Sequence, residues 1–128
     1  MKMSRHLLML ASLLAFPMLA QASDKACLLE GNFVMMGQKI VIKDCMQNNG
    51  MPQEQFVQNC QGASQAATAM GGAPAKITYL AACPAAPKGI CDKLFGGPLS
   101  GHYYLQDAAA LKDTAAGCKA GGGTWRKG

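Results

Sequence analysis

Two apolar runs early in the chain predict a β-hairpin. Residues 32–36 and 39–43 are rich in β-branched and large apolar side chains, and Gly37-Gln38 between them fits a type II′ turn. In this register two apolar pairs share one face and two valines share the other: Phe33 with Ile42, Met35 with Ile40, and Val34 with Val41. A hairpin that is apolar on both faces must be partly covered by another segment.

A helical period follows the hairpin. Pro52 suits the first turn of a helix, and the apolar positions after it recur at steps of four and three residues until Gly71-Gly72 ends the pattern. The stripe consists of Phe56, Cys60, Ala63, Ala67 and Met70. This helix is one candidate for the cover of the hairpin.

The C-terminal half predicts two short strands and a second helix. The strands are expected over 77–81 and 102–105, and the helix over 108–116, with Asp107 as its N-cap and Gly117 at its end. Together these elements predict an α+β fold, a small disulfide-stapled domain with about two helices and a short antiparallel sheet.

The N-terminus has the features of a secretory signal. Basic residues precede a 14-residue apolar run over 7–20, and the small-x-small pattern that ends at Ala22 suits signal peptidase. A helix of that length spans about 21 Å, less than the roughly 30 Å of a bilayer core. We therefore expect residues 1–22 to be a signal peptide and 23–128 to be one domain, periplasmic or secreted after cleavage near Ala22.

The charge of the chain argues against several classes of partner. Removal of the signal lowers the formal net charge from +5 to +3, because two basic residues leave with it. The remaining basic residues are scattered, and Arg126-Lys127 is their only adjacent pair. Neither a nucleic acid nor a membrane surface is favoured as a partner. No later apolar run is long enough to span a membrane.

Six cysteines remain in the 106 residues after the signal, and an even number in an exported chain predicts three disulfides. The cysteines are Cys27, Cys45, Cys60, Cys83, Cys91 and Cys118. A zinc or redox site is not favoured, because no Cys-x-x-Cys spacing occurs. Of the fifteen possible pairings, Cys27 with Cys45 is favoured, since a predicted hairpin lies between the two.

The C-terminal part contains a series of short motifs: Cys83-Pro84, Gly89-Ile90-Cys91, Tyr103-Tyr104, and the run from Cys118 through Gly121-Gly122-Gly123-Thr124-Trp125. This series resembles a pattern in small exported bacterial proteins of unknown function. The resemblance implies an exported, cysteine-stapled domain of bacterial origin and adds no site.

An enzyme is not favoured by the inventory of side chains. His102 is the one possible imidazole base outside the signal, and its sequence neighbours are Ser100, Tyr103, Tyr104 and Asp107. No Gly-x-Ser-x-Gly motif occurs, and a Cys/His nucleophile fails if every cysteine is bridged, as predicted. Because His102 could still act as a base, a small hydrolase that uses it is the second alternative.

A copper protein is the first alternative. Thioether and imidazole ligands suit Cu(I), and the candidate ligands are Met35, Met36, Met46, Met51 and His102. Met35 and Met36 point to opposite faces of a strand, so only one of them could join a cluster. No Met-x-x-Met run occurs, and packing within the hairpin is the simpler interpretation.

Partner binding is the leading hypothesis. Aromatic residues lie between glycine-rich stretches in the C-terminal half, and a candidate binding face consists of Phe95, His102, Tyr103 and Trp125. We therefore expect a non-enzymatic exported protein without a cofactor. It would bind another exported or envelope component as an inhibitor, an immunity-type protein or an accessory subunit.

Overall fold

A six-stranded antiparallel sheet forms the centre of the computed structural model, which describes residues 24–128. The strands are β1 Ala26–Met35, β2 Gln38–Asn48, β3 Lys76–Leu80, β4 Gly89–Asp92, β5 Leu99–Tyr103 and β6 Thr124–Lys127, in the order β3-β1-β2-β5-β4-β6. The helices are α1 Gln53–Ala66 and α2 Ala108–Ala120. This confirms the predicted α+β class with two helices. The predicted signal peptide 1–22 lies outside the described residues.

The β1–β2 hairpin differs from the prediction by one residue in its turn. Met35 pairs with Gln38, so the turn residues are Met36 and Gly37. Their φ angles of 52° and 77° are both positive, which is the requirement of a type I′ turn, and the predicted type II′ turn is wrong. The slip moves each partner by two positions, so Phe33 pairs with Ile40 and every side chain keeps its predicted face.

The distal part of this hairpin, residues 31–43, projects beyond its neighbours, and we call it the ribbon. Strand β3 pairs with residues 26–30 of β1, and β5 pairs with residues 44–48 of β2. Both long edges of the ribbon therefore lack a neighbouring strand among residues 24–128. On β1 of the ribbon, Phe33 is partly covered by the turn after α1, where Gly72 lies against it.

The two faces of the sheet are covered by different segments. On one face, which we call the helix face, α1 covers a core of Cys27, Leu29, Met46, Phe56, Cys60, Ala75 and Leu99. On the opposite face, the loop face, the segment after β3 and the residue after β5 cover Ala26, Leu28 and Cys45 with Leu80, Cys83 and Tyr104. These covers lie over the base of the hairpin. Of the predicted hairpin 32–43, Ile42 packs against the core of the helix face, whereas Val34, Met35 and Val41 are exposed, so the predicted cover reaches only part of it.

Three disulfides attach these covers to the sheet. Cys27 is bonded to Cys60 on α1, Cys45 to Cys83 in the loop after β3, and Cys91 on β4 to Cys118 on α2. This confirms the prediction that all six cysteines are paired. Residues that pair across neighbouring strands point to the same face of a sheet. Cys91 and Met46 both pair with Gly101, so Cys91 points to the helix face, and its disulfide attaches α2 on the same face as α1.

The favoured Cys27–Cys45 pairing is wrong, and the register of the hairpin gives the reason. Cys27 pairs across the strands with Met46, whereas Cys45 pairs with Leu28. Adjacent positions along a strand point to opposite faces of a sheet. The two thiols therefore lie on opposite sides of the hairpin, and no bond can join them.

The helices confirm the predicted elements with shifted ends. After Pro52, α1 runs to Ala66, and a 3-10 turn continues it to Met70, whose side chain is exposed although the predicted stripe included it. Helix α2 continues through Gly117 to Ala120. Strands β4 and β6 were not predicted, and the strand expected over 102–105 ends at Tyr103.

Candidate binding surfaces

The four residues of the candidate binding face lie on different surfaces. His102 pairs with Cys45 and faces the loop side, whereas Tyr103 pairs with Asp44 and faces the helix side. Tyr103 and Trp125 are brought together, with ring centroids 5.8 Å apart. Phe95 stands in a separate loop between β4 and β5. A single face made of all four residues does not form.

The Tyr103–Trp125 pair belongs to the packing of the sheet. A side chain at Gly89 would overlap the indole of Trp125, so that ring covers the backbone of β4. Burial raises the pKa of Tyr103 to about 12, and the neighbouring Asp44 carboxylate contributes to the rise. Burial also raises the pKa of Asp44 to about 6. Both rings are only partly exposed, and they offer little surface to a partner.

His102 lies in a polar cluster on the loop face. Its Nε2 atom is 3.2 Å from Oγ of Ser100, which also accepts a hydrogen bond of 3.3 Å from Nδ2 of Asn49. Burial lowers the pKa of His102, the Arg126 guanidinium lowers it further, and the Asp92 carboxylate opposes both. The imidazole is therefore neutral at neutral pH.

The cluster resembles a serine–histidine dyad but differs from a working triad in two respects. Asp92 binds Arg126, with Oδ2 2.5 Å from Nε, and Nδ1 of His102 is buried without a hydrogen-bond partner among the described residues. Ser100 is only 3% exposed, so its hydroxyl is not presented to a substrate. Sequence reasoning singled out His102 and Ser100 but placed neither Asp92 nor Arg126 beside them.

The candidate copper ligands do not converge. Met46 is buried in the core of the helix face, and the thioether sulfur of Met51 is 3.4 Å from the side-chain amide of Asn59. His102 lies on the opposite face of the sheet from Met46, and Met35 with Met36 lies at the far end of the ribbon. No group of three or more His, Cys, Asp or Glu side chains that could hold a metal ion occurs within residues 24–128.

A cavity of about 670 Å³ lies at the loop before α1. Its carboxamides hold the protein's own backbone: Oδ1 of Asn48 accepts hydrogen bonds from the amides of Gly50 and Met51, and Nε2 of Gln53 donates to the carbonyl of Asp24. Since these carboxamides already bond to the backbone, they hold the loop in place and are not free to bind a ligand.

Phe95 lies at an exposed, hydrogen-bonded turn between β4 and β5. Its side chain is 78% exposed, and its backbone has a φ of 55°, in the left-handed region. Backbone hydrogen bonds from Gly96 to Lys93 and from Gly97 to Leu94 close the loop. The loop also packs against the glycines that end α2, beside the Cys91–Cys118 disulfide. The backbone at Phe95 is therefore held by hydrogen bonds and by contact with the end of α2, while the ring is exposed.

A cleft of about 490 Å³ separates Phe95 from α1. Its other lining residues carry no charge: Met46, Gln55, Gln58, Asn59, Gly62 and Ala63. Gln55 and Gln58 are exposed, and each carboxamide can both donate and accept a hydrogen bond. The cleft thus has an aromatic wall, a carboxamide wall and small residues between them, and it suits an uncharged segment.

The end of the ribbon is the second exposed apolar surface. Met36 is 98% exposed at the turn, and Val34, Met35 and Val41 around it are also exposed. Met36 shares with Phe95 the combination of an exposed apolar side chain and a left-handed backbone. Sequence analysis assigned Met36 to a strand, and a turn placed one residue earlier would have revealed it.

Comparisons with protein-family models, with curated proteins and with solved structures find no match for this chain. Within residues 24–128, no helix is long and apolar enough to cross a membrane.

Proposed function

We propose that this protein is a small exported, non-enzymatic binding protein, and that it recognises another exported or envelope component through Phe95 and the adjoining cleft. The three disulfides are consistent with an extracellular or periplasmic location. The signal pattern over 1–22 supports export to such a location. An inhibitor, an immunity-type protein and an accessory subunit all fit this description.

The single observation that carries the proposal is the conformation of Phe95. A left-handed backbone is unfavourable for a bulky residue, and glycine or asparagine would adopt it at lower cost. An exposed ring is unfavourable as well, because its apolar surface stays in water. With the ring 78% exposed, contacts inside the fold offset little of either cost. The side chain is therefore suited to a contact outside the chain.

The surroundings of Phe95 support a pre-organised binding site. Binding energy at protein interfaces is concentrated in a few aromatic and arginine anchors, and a hydrogen-bonded turn that carries such an anchor loses little backbone freedom on binding. The cleft beside the ring supplies the groups that would orient a partner, since Gln55 and Gln58 can bond to its backbone amides. An uncharged loop or an extended segment would fit between the ring and α1.

The test uses the mature protein as bait for capture from an envelope extract, with two variants. Phe95→Asn removes the ring but suits the left-handed backbone, so the loop should keep its shape. Leu105→Asn is the matched control, because Leu105 is an apolar residue that is 49% exposed elsewhere on the surface. We expect a partner that wild type and Leu105→Asn retain and Phe95→Asn loses. If no captured species depends on Phe95, the proposal is wrong.

A hydrolase is the second candidate function, and the 3.2 Å contact between Ser100 Oγ and His102 Nε2 favours it. The burial of Ser100 argues in the opposite direction. Turnover of an activated ester by the purified protein, lost in both Ser100→Ala and His102→Ala, would support this candidate. Turnover that persists in either variant would exclude the dyad as its source.

A further inference from the structure

The ribbon has a shape and a surface that the proposed function does not use. It extends five residues of β1 beyond the last residue paired with β3, about 17 Å at 3.4 Å per residue. Its apolar side chains lie on both faces, with Val34 and Val41 on one and Phe33, Met35 and Ile40 on the other. Met36 closes the end. Apolar side chains thus occur on both faces of the tip, beside the polar residues Asn32, Gln38 and Lys39.

Met36 occupies a position where the fold itself favours a different residue. Both central residues of a type I′ turn need a positive φ, for which asparagine, aspartate and glycine are preferred. Met36 has a φ of 52° and is 98% exposed, so it contributes neither turn preference nor core packing. An apolar side chain at this position is explained by a contact outside the chain.

The charges of the ribbon all have one sign. Residues 31–43 contain Lys39 and Lys43 and no acidic residue. Lys39 pairs with Val34 next to the tip. At the base, Glu30 on β1 lies between Lys43 on β2 and Lys76 on β3. Both lysines of the ribbon lie on β2, and the ammonium group of Lys43 is 5.6 Å from the centroid of the Tyr104 ring.

We propose that the ribbon docks on the surface of an anionic lipid bilayer, with Met36 and its apolar neighbours at the boundary of headgroups and acyl chains. A groove on a protein usually covers one face of a strand pair, whereas lipid surrounds a tip that is apolar on both faces. Lys39, beside the tip, would meet the anionic headgroups, since a lysine stem lies along apolar surface while its ammonium group stays in water.

The open edges of the ribbon limit the depth of this docking. Unpaired backbone N–H and C=O groups are not tolerated in the hydrocarbon core of a bilayer. The tip therefore lies in the interface, and the edges further back remain in water. This interaction is peripheral and reversible, and it involves no spanning element.

The test measures co-sedimentation of the processed protein, recovered from the exported fraction, with vesicles of two compositions. One composition is phosphatidylcholine mixed with phosphatidylglycerol, and the other is phosphatidylcholine alone. We expect binding to the anionic vesicles that salt weakens, and little binding to the neutral ones. Lys39→Gln should reduce the difference between the two compositions, whereas Lys43→Gln, at the base of the ribbon, should change it less.

The decisive variant is Met36→Asn, which forms the preferred Asn-Gly turn and therefore should not impair folding. It should lower the partition coefficient on anionic vesicles about tenfold or more, because a buried methionine side chain is lost. Phe95→Asn is the matched control, an exposed apolar residue replaced at another left-handed position. It should bind vesicles like the wild type.

Several results would overturn the inference. They are an absence of binding to anionic vesicles, equal binding to neutral ones, and binding that Met36→Asn leaves unchanged or that Phe95→Asn lowers equally. A dimer that Met36→Asn dissociates, without vesicle binding, would assign the ribbon to a second copy of the chain instead. Since partner capture depends on Phe95 and vesicle binding on Met36, failure of one proposal leaves the other standing.

Discussion

Replacement of Asp44 by asparagine should stabilise the protein at neutral pH. Asp44 pairs with Leu29 on one side and Tyr103 on the other, on the helix face of the sheet. Burial raises its pKa from the ordinary 3.8 to about 6. At pH 7 the folded protein therefore holds an ionised carboxylate in a site that favours the neutral form. Asparagine has the same shape as the protonated acid and carries no charge.

The size of the effect follows from the shift in the pKa of Asp44. A difference of about two units corresponds to about 3 kcal/mol at 1.36 kcal/mol per unit. Because the side chain keeps some contact with water, we expect Asp44→Asn to raise the free energy of unfolding by about 2 kcal/mol at pH 7. The folded state binds the proton more tightly than the unfolded state. The advantage of the variant should therefore fade as the pH falls from about 6 toward 3.8.

Urea unfolding with the disulfides intact, repeated between about pH 4 and pH 8, measures this difference. The comparison of the two proteins at each pH cancels the titration of the other carboxylates. Asp113→Asn on the exposed surface of α2 is the control, and it should change the stability little at any pH. A variant that is less stable than the wild type at pH 7, or an advantage that is the same at pH 4, would refute the reasoning.

Three further predictions concern the staples and contacts of the fold. Replacement of Cys45 and Cys83 by serine removes a disulfide between residues 38 positions apart in the sequence. In the chain-entropy model this should lower the free energy of unfolding by about 4 kcal/mol, which urea unfolding measures. Gly89→Ala forces the ring of Trp125 to move, which should cost about 1–3 kcal/mol and shift the fluorescence of this single tryptophan. Asp107→Ala removes the carboxylate that caps α2 and should cost about 1 kcal/mol, seen as a lower unfolding midpoint.

The elements that could be predicted are those with a local signal. Helix α1 was predicted because its apolar period and its flanking Pro52 and Gly71 are close in sequence. The hairpin was predicted from alternation, but its turn was placed one residue late, because residue preferences disfavour methionine at the positive φ of Met36. Strands β4 and β6 are four residues each, and tertiary pairing rather than pattern forms them.

The same distinction applies to the candidate surfaces. Phe95 could be selected from the sequence because it is an aromatic residue beside Gly96-Gly97, but the α1 wall of its cleft is a tertiary contact. His102 and Tyr103 were grouped because they are adjacent in sequence, and adjacency in a strand is the reason that they lie on opposite faces. Disulfide pairing likewise depends on the face that each cysteine occupies, which no spacing rule supplies.

The register that separates Cys27 from Cys45 also has a consequence for the oxidation of the chain. On the proposed export route the cysteines would cross the membrane in chain order, so an oxidant that joins them as they emerge would first connect Cys27 to Cys45, before Cys60 arrives. A β-hairpin forms in about 1–10 μs, whereas thiol–disulfide exchange needs a thiolate to reach its target and proceeds over seconds or longer. Once the hairpin has formed, the two thiols face away from each other. Cys27 then stays available for Cys60, and early strand pairing reduces the need for a later isomerase to correct the bridge.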